Sequence, residues 1–461
     1  MYQIDFHKPI HVHFIGIGGI SMSGLAEILL KEGFHVSGSD ASRSDLTERL
    51  SRLGASVFYG QQAENIRDGI DAVVYTAAIH PDNPEYAAAC EKGIPMLSRA
   101  ELLGQIMRNY QTAVAVAGTH GKTTTTSMLS TLFLEAKKDP TITVGGILPE
   151  IGGNIRVGSS DLFLTEACEY TNSYLSFCPT VSIILNIEAD HMDFFKDLAD
   201  IRSSFHRFAC LLPADGLLVL NSGIECPEEI TDGVQARIVT YGLTGTEDYT
   251  ARTDDIVWDE NGCASFELFQ KGVSAGSVTL HVPGLHNVSN ALAALAAALE
   301  LGIAFDQAAA GLSAFHGTKR RFQYKGQTDG VTIIDDYAHH PTEIQATLTT
   351  AARYPHREIW CVFQPHTYTR TQAFLKEFAQ ALSLADHVVL TDIYAAREQN
   401  TIGISSLDLL KELEILGTDC CYFSSFDEIE KYLSKKCMHG DLLITMGAGD
   451  VLKIGENLLS K

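Results

Sequence analysis

The chain has 461 residues, 45% of them hydrophobic and 20% charged, with a formal net charge of −23. That length supports about three domains and more than one apolar core. The acidic balance excludes nonspecific binding to nucleic-acid phosphates, no apolar run approaches the ~20 residues that span a bilayer, and residues 1–9 lack the apolar core of a signal peptide.

Residues 1–108 alternate short apolar runs with helical patterns. Strands are expected over 11–15, 34–37 and 72–75, and a helix over 20–31. This order predicts parallel strands with helical crossovers, a Rossmann-like N-terminal domain in an α/β protein. The first turn carries Gly16, Gly18 and Gly19 but lacks the third glycine of the dinucleotide fingerprint. By itself it fits a nucleotide diphosphate site and an empty tight turn equally well. Asp40 follows the second strand, where an acid can accept hydrogen bonds from a ribose.

Residues 109–322 form a central segment. The apolar run 113–117 leads into Gly118, Thr119, His120, Gly121, Lys122, Thr123 and Thr124. A strand, a glycine loop and a helix starting near Gly121 can wrap a polyphosphate in backbone N–H groups. Lys122 reaches the terminal phosphates and the Thr123 hydroxyl stands where a Mg²⁺ ligand belongs, so ATP or GTP is expected. One departure is Val116, where the full motif has glycine. Strands are expected over 162–165 and 181–186, followed by Glu166 and Glu169, then by Glu188, Asp190, His191 and Asp193. Ligands of open parallel sheets bind at such strand ends. Glu166 is the natural second metal ligand, with helix-dipole complementation as its bland alternative. His191 is an unusual candidate for Mg²⁺, and a structural histidine would look the same. Residues 235–283 suggest an antiparallel meander. A helix then opens at His286 and Asn287 and carries Asn290, amides suited to an adenine edge or to helix capping.

Residues 323–461 return to alternation, with strands over 331–334, 358–363, 387–390 and 441–445. This predicts a second Rossmann-like domain. Two of its strand ends are polar, one with Tyr337, His339 and His340 before Pro341, the other with His366, Thr367 and Arg370. The run Lys319, Arg320, Arg321 at its start is either a solvated surface or a basic hinge facing phosphate. The ten cysteines show no Cys-x-x-Cys spacing and suggest reduced thiols in a cytoplasmic protein.

In combination these motifs resemble the muramyl ligases, ATP-dependent amide-forming enzymes of bacterial cell-wall synthesis. The resemblance covers the whole chain. It rests on residues 13–19 and 22–26, the 118–124 loop, 186–193, His286 with Asn287 and Asn290, 319–322, 335–341 and 363–366. It implies three domains: a UDP-sugar-binding N-terminal domain, a central phosphate-loop ATPase-type domain with an antiparallel insertion, and a C-terminal domain that brings the amino acid. Gly16, Gly18, Gly19, Asp40 and Ala78 would serve the UDP-sugar. ATP would be held by the 118–124 loop, His286, Asn287, Asn290 and Arg321, with Mg²⁺ on Thr123, Glu166 and His191. Tyr337, His339 and His340 would lie on the amino-acid side. Lys122, Glu166, His191, His339 and Arg370 would surround the reaction. The implied substrates are UDP-N-acetylmuramate, L-alanine and ATP, used by a monomer or weak homodimer. A branch of the family that adds a preformed peptide shares nearly all the motifs. Cys168, Thr171 and Thr367 depart from the family pattern. An acyl phosphate must be kept from water, which predicts domain closure with hinges near Arg108 and residues 319–322. From another class, an NAD(P)-dependent oxidoreductase would use the first segment alone and leaves the central loop unexplained.

Overall fold

The computed structural model describes residues 2–76, 78–396 and 398–460. Three sheets follow one another along the chain. The first has five parallel strands, His11–Ile15, His35–Asp40, Ser56–Tyr59, Ala72–Tyr75 and Met96–Ser98. Their order is third, second, first, fourth, fifth, so crossovers leave His11–Ile15 toward both edges. The turn Gly16–Gly19 therefore sits at the point where strand order reverses, the usual ligand crevice of such sheets. Val12, Phe14 and Ile15 are fully buried, and the helices Ile20–Lys31 and Arg99–Met107 add further residues to the core.

The central sheet has eleven strands among the described residues. Thr112–Ala117 lies between Val181–Ile184 and Leu162–Ala167. Leu217–Asn221 and Arg237–Gly242 extend this parallel array on one side, and Thr141–Leu148 extends it on the other. Two expectations change here. The segment from 235 does not open as a meander: Arg237–Gly242 is a parallel strand, and antiparallel pairing starts where Tyr249–Thr250 meets Cys263–Gln270. That strand carries Val239, Tyr241 and Gly242 into the buried array, and short alternating runs alone do not distinguish pairing direction. Glu166 is also not beyond its strand but inside it, as the residue before the last of Leu162–Ala167.

The C-terminal sheet has six strands among the described residues. All pair in parallel except the edge strand Gln323–Thr328, which runs antiparallel to Val331–Asp336. Gln323–Thr328 and the opposite edge, Asp419–Tyr422, have no fully buried residue and hence no strong apolar pattern in the sequence.

The first two sheets share a core. One cluster runs from Phe14, Leu25 and Leu103 to Phe163, Tyr174, Phe177 and Phe205. Gly104 packs so tightly there that a Cβ would lie 1.9 Å from Ser176 O. Opening at the expected hinge near Arg108 would expose this common core. The clusters around Ile334, Phe363 and Phe378 and around Ile333, Trp360 and Val389 are the C-terminal sheet's own. Its connection, the second expected hinge, contains Arg320 at φ 63° and Phe322 at φ 44°, positive values that non-glycine residues rarely adopt. No helix among the described residues is long and apolar enough to cross a membrane.

Candidate active site

Strand register builds the site. Val116 pairs with Glu166, and Ala117 pairs with both Ala167 and Ile184, so three chains leave the sheet side by side at its carboxyl edge. The first turns through Gly118 (φ 149°) and Gly121 (φ 83°). A Cβ on Gly118 would lie 2.9 Å from Leu185 Cβ, and one on Gly121 2.7 Å from Asn290 Oδ1. Glycine is required at both. Val116 is still within the buried strand, so the turn needs no glycine there. The neighbouring chain pins the loop. His120 N donates to Asn186 Oδ1 (2.8 Å), Asn186 Nδ2 to His120 O (3.0 Å) and Glu188 N to Thr119 Oγ1 (2.9 Å). The helix Lys122–Glu135 starts at Gly121, which leaves its free N–H groups and positive dipole end facing the loop.

Lys122 Nζ lies 2.9 Å from Glu169 Oε2 and 3.1 Å from Thr119 O. Burial opposes its charge, yet Glu169 more than offsets this, and the pKa of Lys122 is raised. Thr123 Oγ1 donates to Glu166 Oε2 at 3.2 Å, and Gly145 N donates to the other carboxylate oxygen. Burial pushes the Glu166 carboxyl up, a strain that a bound divalent cation would relieve. His191 Nε2 is 3.6 Å from Glu169 Oε1, and burial lowers its pKa, so the ring is neutral and can offer a lone pair. The Thr123 hydroxyl and the Glu166 carboxylate fit Mg²⁺ through their oxygens, and the neutral His191 ring offers a nitrogen, an uncommon donor for that ion. Thr123 and Glu166 meet directly, whereas His191 reaches them through Glu169 and Lys122.

The C-terminal domain faces the same edge. Arg370 Nε and Nη2 both donate to Asp190 Oδ1, at 3.1 and 2.9 Å. Thr342 Oγ1 donates to Glu188 Oε2 at 2.6 Å. His339 Nδ1–H points to Tyr337 O at 3.0 Å, and burial lowers its pKa to about 4, which leaves Nε2 as an open acceptor. Tyr337 carries Arg320 and Arg321 on its ring at 4.8 and 5.3 Å. His340 differs from expectation. Its Nδ1 accepts from Thr342 N and its Nε2–H donates to Ala189 O, and the ring is 4% exposed. With both nitrogens committed it ties two domains together rather than meeting an amino acid. The same bonds argue against a metal shared by His120, Glu188 and His340, although their ligand atoms lie within 4.8 Å of one another.

Between these surfaces lies a cavity of about 270 Å³, lined among others by Gly121, Thr124, His286, Asn287, Asn290, Arg321 and Glu343. Asn287 Nδ2 donates to Pro283 O and Asn290 Nδ2 to Asn287 Oδ1, so the amides partly satisfy each other. His286 is held neutral by burial, its pKa lowered to about 4. The basic run divides. Lys319 is exposed, Arg320 is fixed by Asp335 (3.1 Å) and Gly447 O (2.7 Å), and Arg321 alone lines the cavity. In the first sheet the Asp40 carboxylate accepts from Gly18 N at 2.8 Å, so it braces the glycine turn instead of standing free for a ribose. Ala78 is exposed beyond Ala72–Tyr75, its N–H donating to Thr76 Oγ1.

Four acids are central here that sequence reasoning did not single out as site residues: Glu169, Asp190, Asp336 and Glu343. Glu169 and Asp190 were visible in polar strand ends. Asp336 is raised to about 6 by burial while Ala338 N and Phe322 N donate to it. Glu343 gave no signal beyond being an acid in a helix's first turn.

Three family models match in succession: the Mur ligase family catalytic domain over 11–111, the Mur ligase middle domain over 116–298 and the Mur ligase glutamate ligase domain over 320–449. The UDP-N-acetylmuramate–L-alanine ligase of Agathobacter rectalis is 61% identical over 461 residues, covering 100% of both chains. That of Caldanaerobacter subterraneus is 49% identical, covering 100% of this chain and 99% of its own. The solved UDP-N-acetylmuramate-alanine ligase of Thermotoga maritima has a TM-score of 0.79 at 29% identity, and the murein peptide ligase of Psychrobacter arcticus has 0.70 at 26%, each covering 98% of both chains. With such similarity along its full length, this chain belongs to the Mur ligase family.

Proposed function

We propose that this chain is an ATP-dependent, ADP-forming ligase that joins L-alanine to the lactyl carboxylate of UDP-N-acetylmuramate in peptidoglycan precursor synthesis. One observation carries the reading: the phosphate loop and Arg321 of the central domain share one cavity with Glu343 of the C-terminal domain, whose Arg370 is held on Asp190 beside His191. The names of full-length relatives at 49–61% identity support alanine as the amine.

A carboxylate is a poor electrophile, so it must be activated before an amine can displace oxygen. The loop N–H groups and Lys122 hold the β- and γ-phosphates of ATP, while Arg321 and Asn290 lie toward its nucleoside end. Thr123, Glu166 and His191 would hold Mg²⁺, which neutralises charge on the transferring phosphoryl group. The lactyl carboxylate oxygen forms a bond to the γ-phosphorus as the bond to the β-phosphate oxygen breaks, and ADP leaves. The amine of L-alanine then attacks the acyl carbon, inorganic phosphate departs, and the amine loses a proton. His339 Nε2 is an acceptor for the incoming ammonium, and Arg370 suits the amino-acid carboxylate or the phosphoryl oxygens. The glycine turn Gly16–Gly19 takes the UDP diphosphate at the strand-reversal crevice. Enclosure between the domains limits hydrolysis of the acyl phosphate.

The test is incubation with UDP-N-acetylmuramate, ATP, Mg²⁺ and an amino-acid mixture, followed by mass identification of the product and assay of ADP. The expected product is the L-alanyl adduct with one ADP per amide. No ADP from folded protein would refute the reading. The similarity to a murein peptide ligase keeps a preformed peptide as the second amine, and competition between L-alanine and a tripeptide separates the two.

A further inference from the structure

Glu343 lies on the first turn of the helix Pro341–Ala351 in the C-terminal domain, and its side chain is 13% exposed. One carboxylate oxygen, Oε1, is 3.3 Å from His120 Nδ1 in the phosphate loop and 3.7 Å from Arg321 Nη1. The other, Oε2, accepts from His339 N at 3.1 Å and lies 3.3 Å from His339 Nδ1. The phosphate loop, the 319–322 connection and the polar strand end of the C-terminal sheet thus converge on one side chain. A carboxylate lining a cleft for a triphosphate would repel its ligand if it were free. Here burial is outweighed by His339, His120 and Arg321 around it, which hold its pKa well below the usual carboxylate range. His120 is gripped from its other side by Glu188 at 3.4 Å and meets the tilted ring of His340 at 4.6 Å, so its position is over-determined only when both domains are in place.

We propose that Glu343 is the positioning residue that couples closure of the C-terminal domain to order in the phosphate loop. It reaches His120 only in the closed arrangement, and the same contact aligns His339 and Arg321 over the cleft. The inference rests on the ligase reading above. Glu343 lines the cleft but has no donor to offer a phosphate, so loss of its negative charge does not weaken nucleotide binding and instead impairs the closed, reacting state.

The isosteric Glu343→Gln keeps the volume and removes the charge. Its kcat should fall about tenfold or more, as for reacting groups displaced by an ångström, while KM for ATP stays level or drops. Glu343→Asp should recover part of the loss. His120→Gln should lose kcat to a similar extent, and the double variant His120→Gln/Glu343→Gln should be little worse than either single one, since both break one contact. A Glu343→Gln enzyme with wild-type kcat would overturn the proposal. So would a melting-temperature loss with kcat intact, or strictly additive rate losses in the double variant. Should Glu343→Gln fail to fold, His120→Gln alone decides, with unchanged kcat as the refuting result. Wild-type protein that makes no ADP with acid, amine and ATP would instead overturn the ligase reading, so the two failures are told apart.

Discussion

Replacing Lys122 by alanine separates what the phosphate loop does for chemistry from what it does for stability. The ammonium lies 2.9 Å from Glu169, whose side chain is only 3% exposed. Without Lys122, the basic group left beside Glu169 among the described residues is His191 Nε2 at 3.6 Å, a ring that burial holds neutral. Stranding a buried charge costs about 3–5 kcal/mol when it is fully enclosed. Lys122 is 15% exposed, so we expect a loss at or just below the lower bound, roughly 2–3 kcal/mol. The chemical effect is separate, because a preorganised cation on the transferring phosphoryl group is worth on the order of 10²–10³ in rate. UDP-sugar affinity should hold, because its glycine turn belongs to another sheet. Urea unfolding, ADP release and calorimetric titration with UDP-N-acetylmuramate measure the three quantities. The double variant Lys122→Ala/Glu169→Gln should regain most of the stability and none of the rate. ADP release at the wild-type rate in Lys122→Ala would refute the loop assignment, and unchanged urea resistance would refute the account of the Glu169 pair.

Three further outcomes follow from the geometry. Burial lowers the pKa of His120, but Glu188 and Glu343 overcome this and raise it to about 9. Its folded-state pKa exceeds the unfolded value, so its contribution, roughly 3 kcal/mol, is complete below about pH 6.5 and is lost as pH climbs through about 9. Urea midpoints of wild type should therefore fall across that window more steeply than those of His120→Gln, and parallel curves would disprove the pairing. Gly104→Ala places a methyl 1.9 Å from Ser176 O and must separate the first two sheets; we expect about 2–3 kcal/mol of destabilisation, read by thermal melting, and a neutral result would mean the two sheets do not share a tight seam. Asp190→Asn weakens the hold on Arg370, which makes two hydrogen bonds to one Asp190 oxygen; kcat should drop about tenfold with little change in ATP affinity, and unaltered kcat would show that Arg370 needs no such anchor.

Local sequence was a good guide where one strand and one turn suffice. The strand before the phosphate loop, the glycines at 118 and 121 and the helix at Lys122 are all contiguous, and backbone sterics demand glycine where φ is positive. The strands His11–Ile15, Ala72–Tyr75 and His387–Leu390 appeared at their expected bounds because their buried residues make plain apolar runs. Half-exposed edge strands such as Gln323–Thr328 leave no such mark.

The sequence by itself determined the chemistry on offer: a polyphosphate loop, oxygen ligands for a divalent cation and polar strand ends in three successive α/β segments. Only the tertiary structure decided which groups meet. Asp40 turned inward to its own glycine turn, His340 became a tether, and Glu343 came to join residues more than two hundred positions apart. The physical reason is range. Backbone conformation and hydrophobic period are set by neighbours a few residues away, whereas the pairing of buried charges depends on how separately folded layers pack, and no local pattern records that.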